Sequence, residues 1–148
     1  MDGPARPADG LPAPTDEQVA AFRAAPPSLG RTLRSFGFAY AGLAYLVQTQ
    51  PNVRVHLAVT VIVVAVAVAV QAPLVEVAVL LLAIGLVLVG EALNTALEAV
   101  ADLVSPNIHP VARIAKDVAA AGVLLAAVVA ALAGVLILGP RLWRLVAA

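Results

Sequence analysis

The feature that most constrains this chain is an uncharged apolar run, residues 77–90, that continues directly into a segment rich in carboxylates. On a helix with about 100° per residue, three acids and one asparagine of that segment fall within roughly 80° around the axis. We call these residues the acidic stripe: Glu91, Asn94, Glu98 and Asp102. An ionisable side chain inside a membrane span is unfavourable unless it faces protein, water or a cation. The stripe therefore predicts a functional site.

Composition places the chain in a membrane. Hydrophobic residues make up 62% of its 148 residues and charged residues 12%, whereas soluble domains are about 45–50% apolar. Nine basic and nine acidic residues give no net charge, which provides no basis for a nucleic-acid partner. The absence of cysteine excludes disulfides and thiolate zinc sites. The two histidines lack a metal-ligand spacing. We expect His56 at the membrane interface, and His109 either in a loop hydrogen bond or as a solvated ring.

The order of apolar and breaking residues predicts an all-α membrane protein. Residues 1–28 are rich in proline and are expected to form a disordered tail. Residues 29–148 are expected to form one membrane domain. Its aromatic and arginine content favours an N-terminal interfacial helix over about 29–48. Three transmembrane helices follow, over about 55–72, 74–104 and 110–138, and the last is expected to close at Gly139-Pro140.

Basic residues predict the orientation of these spans. Most of them precede the first span or lie between the second and third, and the turn between the first two spans has none. The positive-inside rule therefore places the N-terminus and the acidic stripe on the cytoplasmic side. Arg141 and Arg144 then fall on the opposite side.

Carboxylates in such a stripe can hold a hard divalent cation through oxygen, or accept the proton of a hydroxyl that attacks a phosphoryl group. Arg113 and Lys116, early in the third span, are suited to contact phosphate. The sequence has no P-loop, protein-kinase motif or nucleophile elbow, so nucleotide binding would need side chains and a metal. A polar packing seam between helices is the alternative interpretation of the stripe.

The stripe and the loop after it carry a specific pattern. Glu-x-x-Asn-Ser/Thr-Ala/Ser-hydrophobic-Glu-x-x-x-Asp is matched by residues 91–102, and the following loop ends in Ala115-Lys116-Asp117. In these motifs the chain resembles the small integral-membrane prokaryotic diacylglycerol kinases and the related undecaprenol kinases. The resemblance extends over about residues 31–138 and excludes the proline-rich tail.

The resemblance implies a lipid kinase of the bacterial inner membrane that uses ATP and Mg²⁺ to phosphorylate diacylglycerol or undecaprenol. It also implies a homotrimer whose active sites are shared by neighbouring protomers. Carried over to this sequence, Glu98 is the expected general base and metal ligand. Glu91 and Asn94 are the expected polar groups of the same active site.

The same resemblance assigns nucleotide binding to three further residues, Arg31, Lys116 and Asp117. One position departs from the family, because Gln50 stands where a glutamate that helps to bind the metal is usual. Gln50 offers a carbonyl oxygen without charge, which predicts weaker metal binding. This departure keeps a second class of function open, a nonenzymatic membrane protein that is either a degenerate family member or a small oligomeric ion pathway.

Overall fold

The structure is a computed structural model that describes residues 29–105 and 109–147, without the side chains of residues 29, 31 and 32. The predicted tail, residues 1–28, lies outside the described residues. Every element in the described ranges is an α-helix, and the predicted all-α class with three long apolar helices is confirmed. The helices are α1 (Leu29–Thr49), α2 (Pro51–Ala69), α3 (Leu74–Val104) and α4 (Pro110–Val146).

The chain divides into two units, residues 1–40 and residues 41–148. The described part of the first unit is the beginning of α1, where Phe36, Phe38 and Tyr40 are all exposed. Exposed aromatic side chains suit the headgroup layer of a bilayer. The interfacial location of α1 remains a prediction.

In the second unit, α2 occupies a segment shifted toward the N-terminus from the predicted span 55–72. It begins at Pro51, because proline fits the first turn of a helix, where its missing N–H is not needed. It ends at Ala69, before Pro73, because Gln71 adopts a left-handed conformation with φ of 52°. The turn at residues 70–73 then leads directly into α3.

Helix α3, Leu74–Val104, has the bounds predicted for the second span. Its 31 residues correspond to about 46 Å at 1.5 Å per residue. That length exceeds a hydrocarbon layer of about 30 Å. The helix must therefore extend beyond the layer at one end or both.

Helix α4 corrects the expectation that the third span closes at Gly139-Pro140. It continues without interruption from Pro110 to Val146, and Pro140 lies inside it. Proline removes one helical hydrogen bond, but the last turns are held by side chains. Arg144 donates to the carbonyl of Pro140 at 3.2 Å, and Arg141 is paired with Glu76 on α3.

Helices α3 and α4 form an antiparallel pair, and α2 packs beside them. A small cluster of Ala67, Leu80 and Leu138 forms the buried core where the three helices meet. Most large apolar side chains of the described helices are exposed. An apolar surface of this extent requires lipid or other protein around it, which agrees with the three helices that are long and apolar enough to cross a membrane.

Candidate functional site

Two members of the acidic stripe are joined by a hydrogen bond along one face of α3. The amide nitrogen Nδ2 of Asn94 donates to Oε1 of Glu98 at 3.0 Å, and the bond is partly buried. The two residues are four apart, which is the spacing at which helical side chains meet. The bond limits the orientations available to the Glu98 carboxylate.

Glu91 is the most buried member of the stripe, with 3% of its surface exposed. Nε2 of His56, on α2, lies 3.2 Å from Oε1 of Glu91, and the histidine side chain is 26% exposed. The contact has the distance of an ion pair, but Oε1 has no hydrogen bond in the described part of the structure, so the ring N–H is not aimed at it. Distance and direction are separate requirements of a hydrogen bond, so the two side chains are within ion-pair distance without a hydrogen bond.

Three buried polar atoms on this part of α3 have no hydrogen-bond partner among the described residues: Glu91 Oε1, Asn94 Oδ1 and Thr95 Oγ1. Thr49 and Thr60 donate to the carbonyl four residues earlier, at 2.8 and 2.7 Å, whereas Thr95 makes no such bond. A buried polar group left unpaired costs about 1–3 kcal/mol. Among the described residues, the stripe is therefore not a fully satisfied polar seam within one chain.

Lys116 contacts the end of the stripe. Its Nζ donates to Oδ1 of Asp102, which lies one helical turn beyond Glu98 on α3. Asp117 points elsewhere, since it forms an exposed i,i+4 pair with Arg113 at 3.9 Å. Arg31 belongs to α1, and its side chain lies outside the described part of the structure.

Gln50 is the N-cap residue of α2, and its side chain makes no capping hydrogen bond. Within residues 29–105 and 109–147, no group of three or more His, Cys, Asp or Glu residues is arranged as a metal site. Mg²⁺ commonly uses one or two carboxylates together with substrate phosphates. The unpaired acidic and amide oxygens of the stripe fit that donor chemistry, and the metal roles of Gln50 and Glu98 remain predictions.

A groove of about 560 Å³ lies between α2, α3 and α4. Among the described residues that line it, only His56 and Thr60 carry polar side chains, and the rest are aliphatic or glycine. The Thr60 hydroxyl is already bonded to the backbone of His56. The volume is within the usual range for small-molecule pockets, and His56 connects this apolar groove to Glu91.

Sequence reasoning missed the contact of His56 with the stripe. Counted from the turn at residues 70–73, His56 and Glu91 lie at roughly 20 and 26 Å along their helices. Side chains tilt toward the N-terminus of a helix, so in this antiparallel pair His56 and Glu91 lean toward each other. The similar distance of the two residues from the turn, together with this tilt, is the signal that could have found the contact. Of the two alternatives for His109, the loop hydrogen bond is present, since its Nδ1 accepts from the N–H of Val111 at 3.2 Å and caps α4.

Known proteins match this chain over a range that includes the acidic stripe. The family model described as prokaryotic diacylglycerol kinase matches residues 37–138. A diacylglycerol kinase of Synechocystis sp. is 43% identical over 114 residues, which are 76% of this chain and 65% of that protein. An undecaprenol kinase of Bacillus subtilis is 35% identical over 114 residues, which are 77% of this chain and 93% of that protein. The chain thus spans a little less than two thirds of the first relative's length.

Proposed function

Because the chain belongs to the prokaryotic diacylglycerol kinase family, we propose that it is a lipid kinase that transfers the γ-phosphate of ATP to a membrane lipid. The acceptor is the hydroxyl of diacylglycerol or of undecaprenol, the two substrates in the names of the relatives. We place the enzyme in the bacterial inner membrane as a homotrimer, with its N-terminus and active site on the cytoplasmic side.

The observation that carries this proposal is the junction of an apolar groove with unpaired buried oxygens. The groove suits an acyl or prenyl chain, and His56, which lines it, lies 3.2 Å from Glu91 Oε1, a buried oxygen without a hydrogen bond among the described residues. A lipid alcohol has an apolar chain for the groove and a hydroxyl whose single hydrogen is the one that Glu98 accepts in the reaction below. A polar seam whose groups were all hydrogen-bonded would leave no free acceptor for a ligand.

In the proposed reaction, Glu98 accepts the proton of the lipid hydroxyl. The hydroxyl oxygen forms a bond to the γ-phosphorus, and the bond from that phosphorus to the bridging oxygen of ADP breaks. The hydrogen bond from Asn94 to Glu98 holds the carboxylate in one orientation. Fixed orientation of the base is one of the main contributions that a protein makes to such a step.

Nucleotide and metal would be held at the end of α3 that carries Asp102. Lys116 is at that end, and we assign contacts with ATP to Lys116, Asp117 and Arg31. Glu98 and Gln50 would hold Mg²⁺, which when bound supplies positive charge that neutralises the phosphates. Gln50 contributes its neutral carbonyl oxygen to this set.

The test is lipid phosphorylation by the purified protein in mixed micelles, with ATP and with diacylglycerol or undecaprenol as acceptor. Glu98→Gln deletes the base with little change of shape, so we expect loss of nearly all turnover with retained assembly and unfolding temperature. Glu17→Gln makes the same chemical change in the N-terminal tail and should have no effect. Near-parental kcat in Glu98→Gln would refute the role of Glu98.

A second function is favoured by one observation, the neutral Gln50 at a position where the resemblance implies a glutamate. A nonenzymatic membrane protein, either a degenerate family member or an oligomeric ion pathway, would show no lipid-dependent ATP consumption with either acceptor. Such a result from a folded, oligomeric preparation would replace the kinase proposal with this alternative.

A further inference from the structure

We propose that the groove between α2, α3 and α4 selects the acceptor lipid by chain length, because it receives the part of the chain that passes the middle of the bilayer. The enzyme then prefers a single long chain, as in a polyprenol, to the acyl chains of diacylglycerol. The inference rests on the proposed lipid kinase and adds a specificity determinant to it.

The groove lies on the same face of α3 as the proposed base, Glu98. Leu80 and Val87 line the groove, and they precede Glu98 by 18 and 11 residues, which are about five and three helical turns. A chain that runs along α3 from Glu98 therefore enters the groove. The near end is open to lipid, because Val55, which lines it beside His56, is 60% exposed.

The groove lies mostly in the half of the helix pair that is distant from Glu98. His56 marks its near end, and the contact of His56 with Glu91 lies about 10 Å from Glu98 along α3. Leu142 marks the far end, and the adjacent Arg141 pairs with α3 about 33 Å from Glu98. Half of the hydrocarbon layer is about 15 Å thick. Most of the groove is therefore beyond the leaflet in which the lipid hydroxyl meets Glu98.

Covalent geometry determines which chains reach the far end. Bonds of about 1.52 Å that meet at about 111° advance an extended chain by about 1.25 Å per bond. An 18-carbon acyl chain ends roughly 21 bonds, or about 26 Å, from the glycerol hydroxyl, which is short of the far end. An isoprene unit adds roughly four bonds, so a prenol of about seven units reaches the far end.

Gly134 provides a place to shorten the groove. It lines the groove on α4, seven residues before Arg141, and therefore lies about 22 Å from the level of Glu98. A Cβ built at Gly134 meets nothing within 4 Å, so Gly134→Leu has room to fill the groove at that depth.

Gly85 provides the matched control. It lies on α3 about 20 Å from Glu98, and it is not among the described residues that line the groove. A Cβ built at Gly85 also meets nothing within 4 Å. Gly85→Leu is therefore the same chemical change at a similar depth on another surface.

The probes are farnesol, geranylgeraniol, heptaprenol and undecaprenol, with dioleoylglycerol for comparison, each in mixed micelles. Equilibrium binding of each alcohol, kcat/KM for its phosphorylation and KM for ATP are measured for the parent and for both variants. The ratio of Gly134→Leu to Gly85→Leu for one alcohol cancels its partition into micelles, because both variants meet the same lipid at the same concentration.

We expect the affinity and kcat/KM of the parent to rise about tenfold or more from geranylgeraniol to heptaprenol, as more apolar surface is buried, and to stay level for undecaprenol. Dioleoylglycerol should be about tenfold or more below heptaprenol. In Gly134→Leu the rise should end at geranylgeraniol, whose extended chain reaches about 20 Å. Gly85→Leu should match the parent, and KM for ATP should be the same in all three proteins.

Equal chain-length profiles in Gly134→Leu and Gly85→Leu would overturn the proposal, because a second copy of the chain or a lipid of the opposite leaflet would then occupy the groove. Dioleoylglycerol as good as heptaprenol would also overturn it. A lack of phosphate transfer to every alcohol would refute the proposed kinase instead. In that case the binding profiles still show whether the groove selects chains by length.

Discussion

Arg141 donates two hydrogen bonds to Glu76, from Nε and Nη2 to the two carboxylate oxygens at 2.8 and 2.7 Å, across 65 residues of sequence. At the other end of the same helix pair, Lys116 donates to Asp102. About 25 residues of each helix separate the two pairs, which is about 38 Å. A hydrocarbon layer of about 30 Å fits between them.

This spacing orders the acidic stripe by depth. Glu98 lies one turn from Asp102, near one boundary of the apolar segment, while Glu91 lies about 16 Å from Asp102 toward its middle. A water-soluble nucleotide can therefore approach from the side of Glu98. The apolar groove lies deeper than Glu98, since His56, which lines it, contacts Glu91.

The first prediction concerns the pair of Glu76 and Arg141. Glu76→Gln and Arg141→Gln should each lower the unfolding temperature in micelles, because each leaves a partly buried charge without its bidentate partner. The double variant should be less destabilised than the sum of the single effects. Additive effects measured by calorimetry would show that the two side chains do not stabilise each other.

The second prediction separates the two roles of Lys116. If Lys116 only forms the ion pair with Asp102, then Lys116→Met and Asp102→Asn should have the same kinetics, since each removes one member of the pair. If Lys116 also contacts ATP, Lys116→Met should raise KM for ATP several-fold more than Asp102→Asn does, with similar unfolding temperatures. Identical kinetics in the two variants would leave Lys116 with a structural role only.

The sequence predicted α3 well because its limits are chemically marked, by Pro73 before it and by Ser105-Pro106 after it. The predicted end of α4 at Gly139-Pro140 was wrong for a physical reason. Pro140 disfavours a helix locally, but contacts of Arg141 with a helix 65 residues away hold the next turns in place. Tertiary contacts of this kind are not contained in the local propensity of a segment.

The candidate site likewise has a part that local sequence predicts and a part that depends on tertiary contacts. The acidic stripe follows from helical periodicity on one element, and its Asn94 to Glu98 bond needs only the spacing of four residues. The contact of His56 with Glu91 depends on how two helices align after a turn. The left-handed conformation of Gln71, which ends α2 before the predicted residue 72, was not predicted. The alignment of α2 with α3 after the turn was therefore not predicted either.

The third prediction tests whether Gln50 shares the metal with Glu98. Gln50→Glu should lower the Mg²⁺ concentration for half-maximal lipid phosphorylation, because a second carboxylate adds attraction for the cation in a partly desolvated site. Lipid preference should not change. Direct Mn²⁺ titration should show that the gain disappears in a Glu98→Gln background, as expected for two ligands of one ion. An unchanged titration would place Gln50 away from the metal.

The last prediction tests the groove as the site of the lipid chain. Gly134 lines it, and a Cβ built at this glycine meets nothing within 4 Å, so the position has room for a side chain. Gly134→Leu should fill part of the groove and raise KM for the lipid about tenfold, with KM for ATP unchanged. Gly134→Ala adds one methyl group and serves as the matched control, with near-parental kinetics.

The same variants distinguish a lipid groove from a contact between subunits. If the groove holds the lipid chain, Gly134→Leu should remain as oligomeric as the parent in light scattering, and a shorter acyl chain should partly restore its kcat/KM. Dissociation of the oligomer in Gly134→Leu, with activity lost for long and short lipids alike, would instead show that another copy of the chain packs in the groove. In that case the acyl or prenyl chain must bind on a different face of α3, and Glu98 must meet the hydroxyl from that side.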